Sequence, residues 1–170
     1  MEYPNNLVKE WFVFTDIDGV LSTSKQYFMK NLHPKYQCYK FDPECSKIYN
    51  DIVNVMNAHI VLTSDWREQF TIDEMNDIFH WSGINHTISD ITISLMGATY
   101  FMEQELAICR AHEILEYVHR FKIKKFIVID DLDLSPWLKN NFVQCPRYGE
   151  GIKQTGIKEK ILNKFLSNDI

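Results

Sequence analysis

Glycine and proline are scarce in this chain, with 6 and 5 copies among 170 residues. No internal repeat, linker or low-complexity tract interrupts it, which excludes fibrous, solenoid and multi-domain bead-like architectures. Its 4 cysteines, Cys38, Cys45, Cys109 and Cys145, include no pair spaced as a zinc knuckle or a redox couple, and no histidine cluster joins them. They are expected to be reduced, mostly buried small hydrophobes. Basic residues are also in deficit, 18 Lys and Arg against 23 Asp and Glu for a net charge of -5. That balance argues against holding nucleic acid by bulk charge. The local basic groups, Lys122, Lys124 and Lys125 or Arg147 and Lys153, read as solvated faces. No uncharged apolar run approaches membrane-spanning length, and Met1-Glu2-Tyr3-Pro4 lacks the basic-then-apolar layout of a signal peptide. The expectation is a soluble, cytoplasmic protein with no membrane partner.

What the chain does have is core-forming material, 45% hydrophobic and 14% aromatic, enough for one packed domain over residues 1–170. Residues 11–15, 59–64 and 126–129 are short, apolar and non-alternating, as strands buried on both faces must be. A fourth strand is expected at 142–145. Between them lie amphipathic helices. Asp42-Pro43 starts one that carries Ile48, Ile52, Val55 and Met56 at helical spacing. Thr71 and Glu74 form a capping box for a second, which stops at Gly83. A third covers roughly 103–119, and Thr155 caps a last one carrying Ile157, Ile161, Leu162 and Phe165. Residues 22–41, broken by His33-Pro34, read as a flap or small insertion, and 86–102 fit no pattern. Apolar strands alternating with helices imply an α/β fold with a mostly parallel central sheet.

Polar chemistry collects immediately after three of these strands: Asp16 and Asp18, then Thr63 and Ser64, then Asp130 and Asp131. The carboxyl edge of an open α/β sheet is where ligands bind. Asp16-Ile17-Asp18-Gly19 taken alone also reads as a turn, since Asp and Gly are common turn formers. Four carboxylates at one edge instead call for a hard cation with oxygen ligands, and Mg²⁺ fits because it works alongside phosphate. Asp65 and Arg67 read as a local ion pair, Trp66 as a packing residue and Asp133 as a solvated loop residue.

In this order the residues resemble the motifs of the haloacid-dehalogenase-like (HAD) phosphohydrolases: Asp16-Ile17-Asp18-Gly19, then Thr63, then a lone basic residue, then Asp130-Asp131. Arg110 is the choice for the basic residue, with Lys122, Lys124 and Lys125 as competitors. Thr63-Ser64-Asp65-Trp66-Arg67 and Arg110-x-x-Glu113-Ile114 further resemble the HAD domains associated with RNA-repair proteins. The resemblance implies a three-layer Rossmann-like fold and a phosphatase working through an aspartyl-phosphate. Asp16 is then the nucleophile and Asp18 the proton shuttle. Thr63, Ser64 and Arg110 bind the phosphoryl oxygens. Asp16, the Asp18 backbone carbonyl, Asp130 and Asp131 hold Mg²⁺.

Neither residues 20–62 nor residues 65–109, between successive motifs, leave room for a large cap domain. An open site suits a phosphorylated macromolecular end, such as a polynucleotide terminus. The acidic charge balance weighs against nucleic acid and the resemblance weighs for it. A small phosphorylated metabolite, phosphotransfer, and a non-catalytic HAD-like binding module remain as alternatives. The two intact acidic motifs count against the last of these, and the chain is short for a metal-dependent glycosyltransferase using Asp-x-Asp.

Overall fold

The computed structural model describes residues 10–26, 31–95 and 102–168. Its strands are β1 (Trp11–Thr15), β2 (Ala58–Leu62), β3 (Ile88–Ile91), β4 (Lys125–Asp130) and β5 (Phe142–Gln144). They form one all-parallel sheet in the order β3-β2-β1-β4-β5. Parallel neighbours need crossover connections, which here include α1 (Pro43–Met56), α2 (Ile72–Trp81), α3 (Glu103–Arg120) and the short α4 (Ser135–Leu138), with α5 (Ile157–Asn168) last.

Strand side chains alternate between two cores. Val13, Ile60, Leu62, Ile127 and Ile129 pack with Tyr49, Ile52 and Val53 of α1, Met75, Ile78 and Phe79 of α2, and Ile157 and Ile161 of α5. Phe14, Val61 and Val128 face the other way, onto Ala107, Ala111, Ile114 and Tyr117 of α3 and Leu138 of α4. The result is the expected three-layer, Rossmann-like α/β arrangement.

Local chemistry sets the element ends. The Asp42 carboxylate accepts the Glu44 and Cys45 backbone N–H groups at 3.0 and 3.2 Å, so Pro43 begins α1 behind a filled cap. Thr71 and Glu74 form the reciprocal capping box at α2. In α5 the Lys160 N–H bonds to the Gly156 carbonyl at 3.1 Å, so Gly156 rather than Thr155 precedes the helix.

The unpatterned 86–102 stretch holds the edge strand β3, whose four residues are too few to show a period, and residues 96–101 fall outside the described set. In the 22–41 segment, Leu32 and Tyr39 form an antiparallel bridge and the Asp42 N–H returns to the Leu21 carbonyl at 2.9 Å. Residues 27–30 of the expected flap are not among those described.

The register positions the chemistry. Thr15 lies opposite both Leu62 and Ile129. The next residues along, Asp16, Thr63 and Asp130, therefore come out side by side at one edge. The ladder runs one step further, with Asp16 N–H to the Ile129 carbonyl and Thr63 N–H to the Thr15 carbonyl, both at 3.0 Å. Between β1 and β4 the strand order reverses, which makes this edge the topological switch point of the sheet.

Candidate active site

Asp16 is nearly buried at the end of β1, and one oxygen each from Asp16, Asp130 and Asp131 lie within 4.8 Å of one another. Such crowding of like charge is unfavourable unless a cation or a proton intervenes. Burial, with Asp16 second, pushes the Asp131 carboxyl up to about 6. Burial also raises Asp130, and Arg110 only partly offsets it.

Arg110 is the cation already present. It projects from the buried face of α3 beside Ala107 and Ala111. A helical side chain leans toward its helix's N-terminus, and α3 runs antiparallel to the strands it connects, so the guanidinium is carried to the carboxyl edge of the sheet. Its Nη1 lies 2.8 Å from Asp130 Oδ2 and 3.6 Å from Asp16 Oδ1, and its Nη2 lies 3.0 Å from Asp65 Oδ1. Burial opposes its charge, but Asp130, Asp16, Asp65 and Glu113 together hold its pKa above the usual arginine value. The competing lysines lie elsewhere. Lys125 opens β4 and pairs with Glu10 at 3.0 Å, about 16 Å from the strand's far end at the usual rise per residue.

A second ionic layer supports the first. Glu113 is fully buried one turn after Arg110. Its Oε2 takes Arg67 Nη2 at 2.6 Å and its Oε1 accepts the Leu95 N–H at 2.8 Å. Arg67 also donates to the Thr63 carbonyl. The expected local pair of Asp65 with Arg67 therefore does not form; each instead reaches across to α3. The cause is the 3₁₀ turn Asp65–Glu68, in which residues two apart point to different sides.

Both hydroxyls after β2 are buried, and neither caps the next segment. Thr63 Oγ1 has no hydrogen-bond partner among the described residues, and the Ser64 side chain makes no cap bond to the 3₁₀ turn. Ser22, Thr23, Ser46 and Thr92 also carry a buried unpartnered hydroxyl, so what singles Thr63 out is its place beside Asp16 at the sheet edge.

Asp18 differs from its neighbour. Its carboxylate lies outside the oxygen trio of Asp16, Asp130 and Asp131, and its Oδ2 accepts the Trp66 indole N–H at 2.9 Å. Trp66 packs on Phe41 and Phe70, as expected, but also reaches this acid. Gly19 then turns the chain with φ +77°, and a Cβ there would lie 2.5 Å from Asp131 Oδ2. Only glycine allows the first acidic loop to lie this close to the second. Further on, Gly151 packs the 149–153 loop onto the same turn, where the Ile152 N–H donates to the Val20 carbonyl at 3.0 Å. Asp133 is exposed and accepts the Ser135 N–H at 3.0 Å, outside the cluster.

Residues 12–155 match the family described as the HAD domain in Swiss Army Knife RNA repair proteins. The chain belongs to this family. Its α/β fold and acidic strand-edge cluster are those expected of a HAD domain, whose general chemistry is phosphate hydrolysis on a phosphorylated substrate. No curated protein matches the chain. Among the described residues, no helix is long and apolar enough to cross a membrane.

The structure thus brings Asp16, Asp130, Asp131 and Arg110 together at the edge where Thr63 and Ser64 also emerge, with the Asp18 carboxylate set apart on Trp66. Sequence reasoning missed Glu113 as a hub, the bond from Trp66 to Asp18, and Arg147, whose Nε approaches Asp131 Oδ2 at 4.0 Å. A signal for Glu113 was available: two charges one turn apart on a helix stripe otherwise built of Ala107, Ala111 and Ile114.

Proposed function

We propose that this HAD domain is a Mg²⁺-dependent phosphatase, hydrolysing a phosphomonoester at a polynucleotide end through an aspartyl-phosphate on Asp16. The observation that carries the reading is the convergence at one sheet edge of a carboxylate trio, a buried guanidinium and an unpartnered hydroxyl. The trio fits Mg²⁺ by donor chemistry, being all carboxylate oxygen, and Asp130 keeps unused lone pairs beyond its bonds to Arg110 and Leu132. Asp16, Asp130, Asp131 and the Asp18 carbonyl would hold the ion. When bound, Mg²⁺ offsets the repulsion between an anionic nucleophile and an anionic phosphate.

In the first half-reaction an Asp16 oxygen attacks phosphorus, and the phosphorus–oxygen bond to the leaving group breaks. Its electron pair stays on that oxygen, which takes a proton from Asp18. In the second, water attacks the phosphoryl group on Asp16 and gives its proton to Asp18, releasing phosphate and restoring the carboxylate. The Thr63 hydroxyl, with Ser64 beside it, donates to a phosphoryl oxygen as charge builds there. Arg110, already next to Asp16, orients the nucleophile and balances the developing charge.

The family's description, naming RNA repair proteins, supports a polynucleotide end as substrate. The test is a phosphatase screen over nucleotides, sugar phosphates, phosphopeptides and oligonucleotides phosphorylated at either end. The expected result is Mg²⁺-dependent release that favours the oligonucleotides and disappears in Asp16→Asn. Release that survives this substitution overturns the nucleophile, and preference for a sugar phosphate overturns the substrate.

A further inference from the structure

A cavity of about 260 Å³ opens beside Asp18, lined by Tyr36, Tyr39, Trp66, Phe70, Gln37 and Gln69 among others. Two larger cavities, of about 590 and 500 Å³, lie against β5 with α5 and against α1 with α2, and no member of the acidic cluster lines them. The smaller one therefore borders the chemistry. We propose that it binds the base of the terminal nucleotide, on the leaving-group side of the phosphate. This inference rests on the phosphatase reading of the site.

Asp18 sets the direction. As the group that protonates the leaving oxygen, it must touch that oxygen, so whatever the oxygen is attached to lies on Asp18's side. The wall there is aromatic and already built. Phe70 packs against Tyr36 at 5.9 Å and against Trp66 at 5.8 Å, joining both sides of the cavity. Tyr36 is fixed by a 2.7 Å bond from its hydroxyl to Asp77 and by stacking on His33 at 4.6 Å. Trp66 is fixed by its bond to Asp18. Rings held before the ligand arrives lose little freedom on binding.

The polar groups fit a base better than other leaving groups. Among the described residues lining the cavity Asp18 alone is charged, and Lys35, next to Tyr36 in the chain, donates to the Tyr36 hydroxyl at 2.9 Å, so a second phosphate or an acidic peptide finds no free cation in the wall. Gln69 supplies an amide, which can both donate to and accept from a base edge, while Gln37, whose Nε2 donates to the His33 and Pro34 carbonyls at 3.3 and 3.0 Å, offers its oxygen as an acceptor. The Gln69 side chain makes no hydrogen bond among the described residues. The volume is below that of ordinary drug-sized sites, which start at about 300 Å³, and suits one base rather than several. Aromatic walls with few hydrogen-bonding groups are how proteins take up single unstacked bases.

The experiment measures equilibrium binding to Asp16→Asn protein, which does not turn over, in the presence of Mg²⁺. The probes are RNA trinucleotides phosphorylated at the 3′ or 5′ end, the same molecules with the terminal base replaced by hydrogen, and a phosphotyrosine peptide. The expected result is a preference of about tenfold for the base-bearing form of at least one trinucleotide, the range for one stacked base. Tyr39→Ser with Gln69→Ala should bring this ratio close to one. Equal affinity for the base-bearing and abasic forms overturns the proposal. So does a ratio unchanged in the double variant, or tighter binding of the phosphotyrosine peptide. Phosphate release by the wild-type protein is scored separately. Hydrolysis without base preference rejects the pocket alone, and base preference without hydrolysis rejects the phosphatase reading alone.

Discussion

Arg110 and Asp130 form a buried ion pair at the floor of the candidate site, with Nη1 to Oδ2 at 2.8 Å. Asp130 is completely enclosed and Arg110 is only 4% exposed. Neither charge is placed there for stability, since buried pairs seldom outperform a well-packed apolar pair. Their position makes sense under the proposed phosphatase reading, in which the site holds a phosphate beside a cation.

Removing one member should therefore be costly. Arg110→Met leaves Asp130, Asp16 and Glu113 without their shared partner, and a loss on the order of 3 kcal/mol is expected. Urea unfolding at neutral pH measures it. Activity should fall with it, because the positive charge beside Asp16 is gone. Lys122→Ala and Lys124→Ala, near the opposite end of β4, should leave activity as it was.

The carboxylate cluster makes a pH prediction with a definite sign. Burial pushes Asp131 up to about 6, and Asp130 moves the same way. A carboxyl raised above its unfolded value of about 3.9 binds more protons in the folded state, so its stability contribution is lost as pH rises. In chelator, the melting temperature should fall between about pH 4 and pH 7. Mg²⁺ should reverse the trend, and Asp131→Asn should flatten it. Thermal melts across that range, with and without Mg²⁺, check both.

Gly19→Ala tests the close approach of the two acidic loops. The new Cβ meets Asp131 Oδ2 at 2.5 Å in a backbone conformation that disfavours side chains. The expected cost is about 2 kcal/mol. Mg²⁺ affinity, read by calorimetry, should weaken because Asp131 must move.

Glu113 touches two arginines without belonging to the carboxylate trio. Glu113→Gln keeps the volume and removes the charge, so Arg67 and Arg110 lose an anionic partner. Stability should drop by about 2 kcal/mol, with kcat falling more than KM rises as Arg110 loosens. A change confined to stability would make Glu113 structural only.

Much of this was legible in the residues themselves. β1, β2 and β4 are short apolar runs ending in Asp16, Thr63 and Asp130, and a parallel sheet forces such runs into register. Asp42 and Thr71 announced their helices because capping chemistry is local. What the sequence concealed depends on packing across distance. Asp65 and Arg67 look like partners in the chain, yet α3 supplies both true partners. Trp66 reads as core, and its bond to Asp18 spans residues far apart in the chain. β3 was hidden because four residues on an edge carry too little pattern.

If Asp16 carries the phosphoryl group in transit, trapping that group is the decisive experiment. The wild-type protein is mixed with Mg²⁺ and a phosphorylated trinucleotide, quenched in acid within one turnover, digested and weighed by mass spectrometry. One phosphoryl group is expected on the peptide containing Asp16, absent without Mg²⁺ and absent in Asp16→Asn. Phosphate released at full rate with no phosphoryl group on that peptide, or one found on another residue, would contradict the proposed role of Asp16.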